Sequence, residues 1–212
     1  MFIGHFAVAF VLASIFPQVP ILVPLTAVSF PDLLWPLLVL AGIEKVRIDR
    51  DSPLQKHIVF LSYPYSHSLV LTSLLALIVG GILAELLGNS LVALVFVLGS
   101  ASHWLLDAVV HLPDLPVLGF GRGDRKAGLG LWRYGPLAFV AEFVFYVVVT
   151  IAALPGNLVP GALILGGIFH LVNANSFFGF TRRNPFGTPA AYALLTLVGF
   201  SLFIFFASGG KI

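Results

Sequence analysis

Long apolar runs broken by short polar stretches dominate this chain, and the runs are continuous, without the ten-residue alternation of a barrel strand. Such runs predict helices. Seven are expected, over about Phe2–Phe16, Ile21–Ile43, His67–Leu87, Ser90–Leu112, Pro136–Leu154, Leu158–Asn175 and Pro189–Ala207. A bilayer core takes roughly 20 apolar residues per spanning helix, so most of these are span-length and the first is short, implying tilt or partial insertion. The second holds Pro24, Pro31 and Pro36, which predict a kink or break near Asp32. No internal repeat of 20–50 residues is visible. The expected architecture is all-α: a polytopic transmembrane helical bundle of six to seven helices, forming one domain over residues 1–212.

Composition strengthens this picture. Of 212 residues, 59% are hydrophobic and 9% charged, whereas a soluble domain carries about 25% charged residues. Lipid solvates such a surface and water does not. The few charges are placed unevenly. Lys45, Arg47, Arg50 and Lys56 lie in the loop after the second helix, Arg122, Arg125, Lys126 and Arg133 after the fourth, and Arg182 and Arg183 after the sixth. The opposite connections carry no Lys or Arg, and only Lys211 falls on that side. With seven spans, the positive-inside rule puts these loops and the N-terminus in the cytoplasm. Eleven Lys+Arg against nine Asp+Glu is a topology signal, not a nucleic-acid footprint, so no nucleic-acid partner is expected. Met1–Phe10 lacks the basic region of a signal peptide and reads as the first helix. The absence of cysteine excludes disulfides and thiolate metal sites.

The ionisable residues inside the apolar runs point to one leaflet. His5 opens helix 1, Asp32 sits in helix 2, His67 opens helix 3, and His103, Asp107 and His111 occupy the second half of helix 4. Glu142 lies early in helix 5 and His170 late in helix 6; Glu85 alone faces the far side. Ionisable groups are costly in lipid and face a bundle interior, so their convergence argues for a shared site in about residues 1–135. Positions 103, 107 and 111 are spaced by four and follow one helix stripe. His103 and Asp107 can ligate one ion, with His111 reaching a second through Asp107. Imidazole with carboxylate suits a divalent metal, zinc first, with manganese or iron as alternatives. Two metals roughly 3.5–4 Å apart sharing a carboxylate would suit phosphoester hydrolysis.

Plainer readings stand beside these. His170 suits an interhelical hydrogen bond, His57 a solvated loop, His111 a helix C-terminus and Asp114 a turn. Glu142 suits an ion pair with Arg133 or Arg122. The glycine-rich loop Gly119–Trp132 has the composition of a phosphate cradle without any phosphate-binding fingerprint, and turning is the simpler role for it. Its Arg122, Arg125 and Lys126 are candidates for binding anionic lipid headgroups.

Gly4-His5-Phe6-Ala7, Phe30-Pro31-Asp32, Tyr65-Ser66-His67-Ser68 and Ser102-His103-Trp104-Leu105-Leu106-Asp107, in that order, resemble the motifs of the predicted membrane-bound metal-dependent hydrolases. These are bacterial and archaeal inner-membrane proteins distantly similar to zinc-dependent phospholipase C and the single-strand-specific zinc nucleases, so the resemblance implies a bacterial or archaeal inner (cytoplasmic) membrane. The resemblance runs from about residue 4 to Trp132; the last third is less diagnostic. It implies that His67, His103 and Asp107 ligate one metal, that His5 and Asp107 serve another, and that Asp32 binds or deprotonates the attacking water. The soluble phospholipases hold a third metal with two further histidines and a glutamate. Glu142 with His111 or His170 are the stand-ins here, at a different spacing.

The leading functional expectation is a membrane-embedded metal-dependent hydrolase of a phosphoester or phospholipid, with Asp32 and Glu142 as candidate catalytic acids. Its partners would be membrane lipid and a small-molecule or lipid substrate. An intramembrane metal-ion or proton transporter is the alternative from another class, and it needs polar groups continuing into the far leaflet. A third is a non-catalytic scaffold stabilised by its metal.

Overall fold

In the computed structural model, which describes residues 1–121 and 123–209, the chain is an all-α bundle. Its helices are α1 (Ile3–Ile15), α2 (Leu22–Leu40), α3 (Leu69–Leu87), α4 (Leu91–Val110), α5 (Pro136–Ala153), α6 (Val159–Val172), α7 (Asn175–Phe178) and α8 (Pro189–Ala207). All seven expected helices form. The sixth ends sooner than its apolar run suggests, and the one-turn α7 follows it.

Five helices, α2, α3, α4, α5 and α8, are long and apolar enough to cross a membrane. The remaining long helices, α1 and α6, have 13 and 14 residues, or about 20 Å at 1.5 Å per residue, short of a hydrocarbon core of roughly 30 Å. For α1 the shortfall has a reason. It is a central element, packed by α2, α4, α5 and α6, with Ile3, His5, Phe6, Ala7, Ala9 and Phe10 buried. A helix whose neighbours are protein need not match the thickness of lipid. By contrast α3 turns Leu74, Leu77, Ile78, Ile82 and Leu86 outwards, as a helix edge in lipid does.

The expected break near Asp32 does not occur: α2 is helical without interruption through Pro31 and Pro36. Pro24 sits in the first turn, where its missing N–H costs nothing. Pro31 and Pro36 are buried, and helices packed on several sides tolerate the lost bond because neighbours hold the backbone and re-satisfy it.

The basic loops fold over one end of the bundle. Residues 45–62 form an antiparallel pair, β1 (Lys45–Arg47) with β2 (Val59–Ser62), and residues 115–127 form a second, β3 (Leu115–Pro116) with β4 (Lys126–Ala127). A large apolar core fills the bundle around Phe6, Phe10, Val28, Val95, Phe96 and Phe203. A smaller one, including Trp35, Val46, Ile58, Tyr63 and Leu115, lies under the loops. Asp32 falls between Val28 of the first core and Trp35 of the second. The polar cluster occupies this seam.

Candidate metal centre

Four elements deliver the cluster. His5 comes from the first turn of α1 and Asp32 from the middle of α2. His67 lies two residues before α3, and His103 with Asp107 come from the later half of α4. For these positions to meet, α1 and α3 must start, and α2 and α4 must finish, at the same end of the bundle. They do meet. Ligand atoms of His5, His103 and Asp107 lie within 4.8 Å of one another, and so do those of Asp32, His67 and His103.

Asp107 is the hub. Its Oδ1 lies 3.3 Å from His5 Nε2 and also touches the Met1 amino group; its Oδ2 lies 3.2 Å from His103 Nε2, 3.4 Å from His111 Nε2 and 3.9 Å from His67 Nε2. Asp32 faces the same rings, with Oδ1 3.4 Å from His67 Nε2 and Oδ2 3.7 Å from His103 Nε2. The rings of His5 and His103 stack, with centroids 3.7 Å apart and planes 7° from parallel. His5, His67, His103, Asp107 and His111 are buried. Asp32 is the exception, with 15% of its side chain exposed, and marks where the cluster opens.

The second layer of contacts fixes where the ring protons sit. His103 Nδ1 lies 2.7 Å from the Val28 carbonyl, which only accepts, so Nδ1 is a donor and in the neutral ring Nε2 presents a lone pair. His67 Nδ1 lies 2.8 Å from Ser66 Oγ, whose own proton goes to Glu44 Oε2 at 2.6 Å. His111 Nδ1 faces Asp114 Oδ1 at 3.3 Å and the Tyr63 hydroxyl at 3.4 Å, and that hydroxyl donates to Asp114 at 2.9 Å. Burial and Asp114 hold the Tyr63 phenol well above its usual pKa, so it stays a neutral donor. Burial opposes charge on His111, but Asp107 and then Asp114 outweigh it and raise its pKa.

These protonation states test whether a metal fits. His5 Nε2 and His103 Nε2 are buried, and neither is aligned for a hydrogen bond despite its short approach to Asp107. Among the described residues no Lys or Arg lies within 4.0 Å of Asp32 or Asp107. The Met1 ammonium offsets part of the charge on Asp107, but the unpartnered histidine nitrogens still face the two carboxylates, and a divalent ion between them would make that contact a ligation. The buried His/Asp group is thus fit to bind a metal ion.

No protein-family model, curated protein or solved structure matches this chain. What the centre can do follows from its own atoms.

The structure gathers His5, Asp32, His67, His103 and Asp107, with His111 alongside through Asp107. It pairs Asp32 with His67 and His103, and His5 with His103 and Asp107, a different division from the one the family resemblance implies. Glu142 stands at the start of α1 instead: its Oε1 accepts the Phe2 and Gly4 amides at 2.5 and 3.1 Å. His170 is apart, stacked on Phe139 with Phe143 also near-parallel to it, and bonded to the Phe139 carbonyl at 3.0 Å. Arg125 and Lys126 are exposed on the β3–β4 hairpin, while Arg122 and Lys211 lie outside the described residues. In that hairpin Asp124 accepts the Leu118 and Gly119 amides at 2.9 and 2.8 Å, so these amides serve a turn and not a phosphate. Desolvation pushes the Asp124 carboxyl up, but those amides and Lys126 together outweigh it and hold the group below its usual pKa.

Glu44 and Tyr63 were not anticipated as parts of the site. Glu44 is 1% exposed, yet in sequence it stands beside Lys45 and Arg47 and resembles any solvated loop acid. The usable signal was its place directly after an apolar helix on the side where the other ionisable groups collect.

Proposed function

We propose that the chain is a membrane-embedded metal-dependent hydrolase acting on a phosphoester, a phospholipid foremost. The observation that carries this reading is the pair of overlapping ligand groups, His5 with His103 and Asp107, and Asp32 with His67 and His103, each with its ligand atoms within 4.8 Å of one another. Oxygen and nitrogen donors of this kind suit zinc first, then manganese or iron. His5, Asp32, His67, His103 and Asp107 would hold the metal, with His111 joining through Asp107. A bound divalent ion supplies Lewis-acid polarisation of the phosphoryl oxygen and lowers the pKa of water to about 7.

The protein's residues divide the remaining work. Asp107 presents its two oxygens to different histidines and so can bridge. Asp32, at the open edge, is placed to receive the proton of the attacking water. Arg125 and Lys126 are placed for an anionic headgroup, and Glu142 serves as the cap of α1. The basic loops and α1's start belong on the cytoplasmic side of an inner membrane. A transporter fits less well. Its path needs ionisable groups through the far half, where the core is apolar and Glu85 is exposed.

Elemental analysis with a phospholipid and phosphodiester panel tests the proposal. The wild type should purify with stoichiometric zinc, manganese or iron and release a phosphoester product. H103A and D107A should lose the metal, and D32N should lose turnover by about 10²–10⁴-fold. Wild type that binds none of these metals would sink the reading. Metal without hydrolysis across the panel would favour the scaffold, and metal uptake into proteoliposomes the transporter.

A further inference from the structure

Glu44 is a buried acid that the hydrolytic scheme does not use. It follows α2 by four residues and sits under the loops with its carboxylate turned to the turn before α3. Oε1 accepts the Tyr65 and Ser66 amides at 2.8 and 3.0 Å, and Oε2 accepts the Ser66 hydroxyl at 2.6 Å. Burial pushes its pKa up, and the donors from Ser66 and Tyr65 pull it part of the way back. Among the described residues no Lys or Arg lies within 4.0 Å of it. A backbone turn alone would be served by Oε1. The Oε2–hydroxyl bond does something more.

A serine hydroxyl has one proton to give. Glu44 accepts two backbone amides, which favour its carboxylate form, and a carboxylate can only accept, so it takes the Ser66 proton and leaves Oγ with lone pairs alone. His67 Nδ1, 2.8 Å away, must then be the donor. The imidazole carries one proton when neutral, and placing it on Nδ1 bares Nε2 toward Asp32. The order Glu44–Ser66–His67 is a one-way chain of donors.

We propose that Glu44 is a positioning residue which, through Ser66, fixes the His67 tautomer and keeps Nε2 free to ligate a metal. This rests on the metal reading for its consequence, though not for the proton's place. Outer acceptors of this kind typically alter metal affinity by about 10- to 100-fold when removed.

The E44Q substitution tests the direction of the chain. Its carbonyl can still serve the two amides, but its NH2 now donates to Ser66 Oγ. The hydroxyl proton then turns to His67 Nδ1, and the ring proton moves to Nε2. Two readouts apply to the full-length protein: zinc affinity by chelator competition, and nitrogen-15 spectra of the histidine rings in metal-free protein. Wild type should show His67 as the Nδ1–H tautomer, and E44Q as the Nε2–H tautomer with zinc affinity about 10- to 100-fold weaker. S66A keeps the amide bonds of Glu44 and removes only the link; it should weaken zinc and mix the tautomers. It carries the test if E44Q fails to fold. Unchanged tautomer and affinity in the variant that folds would overturn the relay while leaving the metal reading intact. Wild type that shows the Nδ1–H tautomer but binds no zinc would overturn the metal reading and leave the relay standing.

Discussion

Gly99 lies one turn before His103, where α4 touches the backbone of α2. A Cβ there would come within 2.6 Å of Ala27 Cβ and 3.1 Å of both the Ala27 carbonyl carbon and Val28 N. Val28 is also the residue whose carbonyl holds His103 Nδ1. The close approach of the two helices and the preset tautomer are therefore one feature. G99A should force the helices apart, costing about 1–3 kcal/mol, and should weaken zinc binding at the same time. Thermal melts with and without chelator, beside chelator competition, check this; a variant keeping full zinc affinity would uncouple the two. His103 and Asp107 were legible in the sequence because four-residue spacing places both on one stripe. Val28 was not, since its contribution is a backbone carbonyl and any residue supplies one. Ser66 lay within a recognisable motif, but its acceptor role depends on Glu44, 22 positions earlier.

At the level of elements, apolar run length located the helices to within a few residues, and the loops were harder. The two hairpins have strands of two to four residues, too short for any alternation to register. Proline content pointed to a break that α2 does not show, because a sequence shows the lost hydrogen bond and not the packing around it. The first helix presents the opposite case: too short for a span by length, it is secured by burial and by Glu142 on α5. Because Glu142 accepts two amides of the first turn, E142A strands buried donors. Its expected cost is about 1–3 kcal/mol, seen as a lower melting point, with metal stoichiometry unchanged. Loss of metal, or of turnover at unchanged stability, would give Glu142 a part in the chemistry that its capping bonds do not explain.

For the whole molecule, the polar half and the apolar half are arranged along the bundle axis. Every buried His, Asp and Glu side chain among the described residues, from His5 to His170, lies toward the end capped by the basic loops. The far end holds the exposed Glu85 and the tight α3–α4 turn, where Gly88 takes the left-handed conformation at φ 61°. A centre reached from one face only needs its substrate on that face, so sidedness bears directly on function. Base-rich loops on one side predict that this face is cytoplasmic. The chain has no cysteine, so single cysteines can report it without background. Asp51 is exposed on the loop side and Asn157 on the opposite side, between α5 and α6. In intact cells N157C should react with a membrane-impermeant maleimide, and D51C only once the membrane is opened. The reverse pattern would place the centre on the outer face and remove cytoplasmic phosphoesters from its reach. Labelling of both sites in intact cells would mean that α5 is not a simple crossing, and the sidedness drawn from seven spans would fall with it.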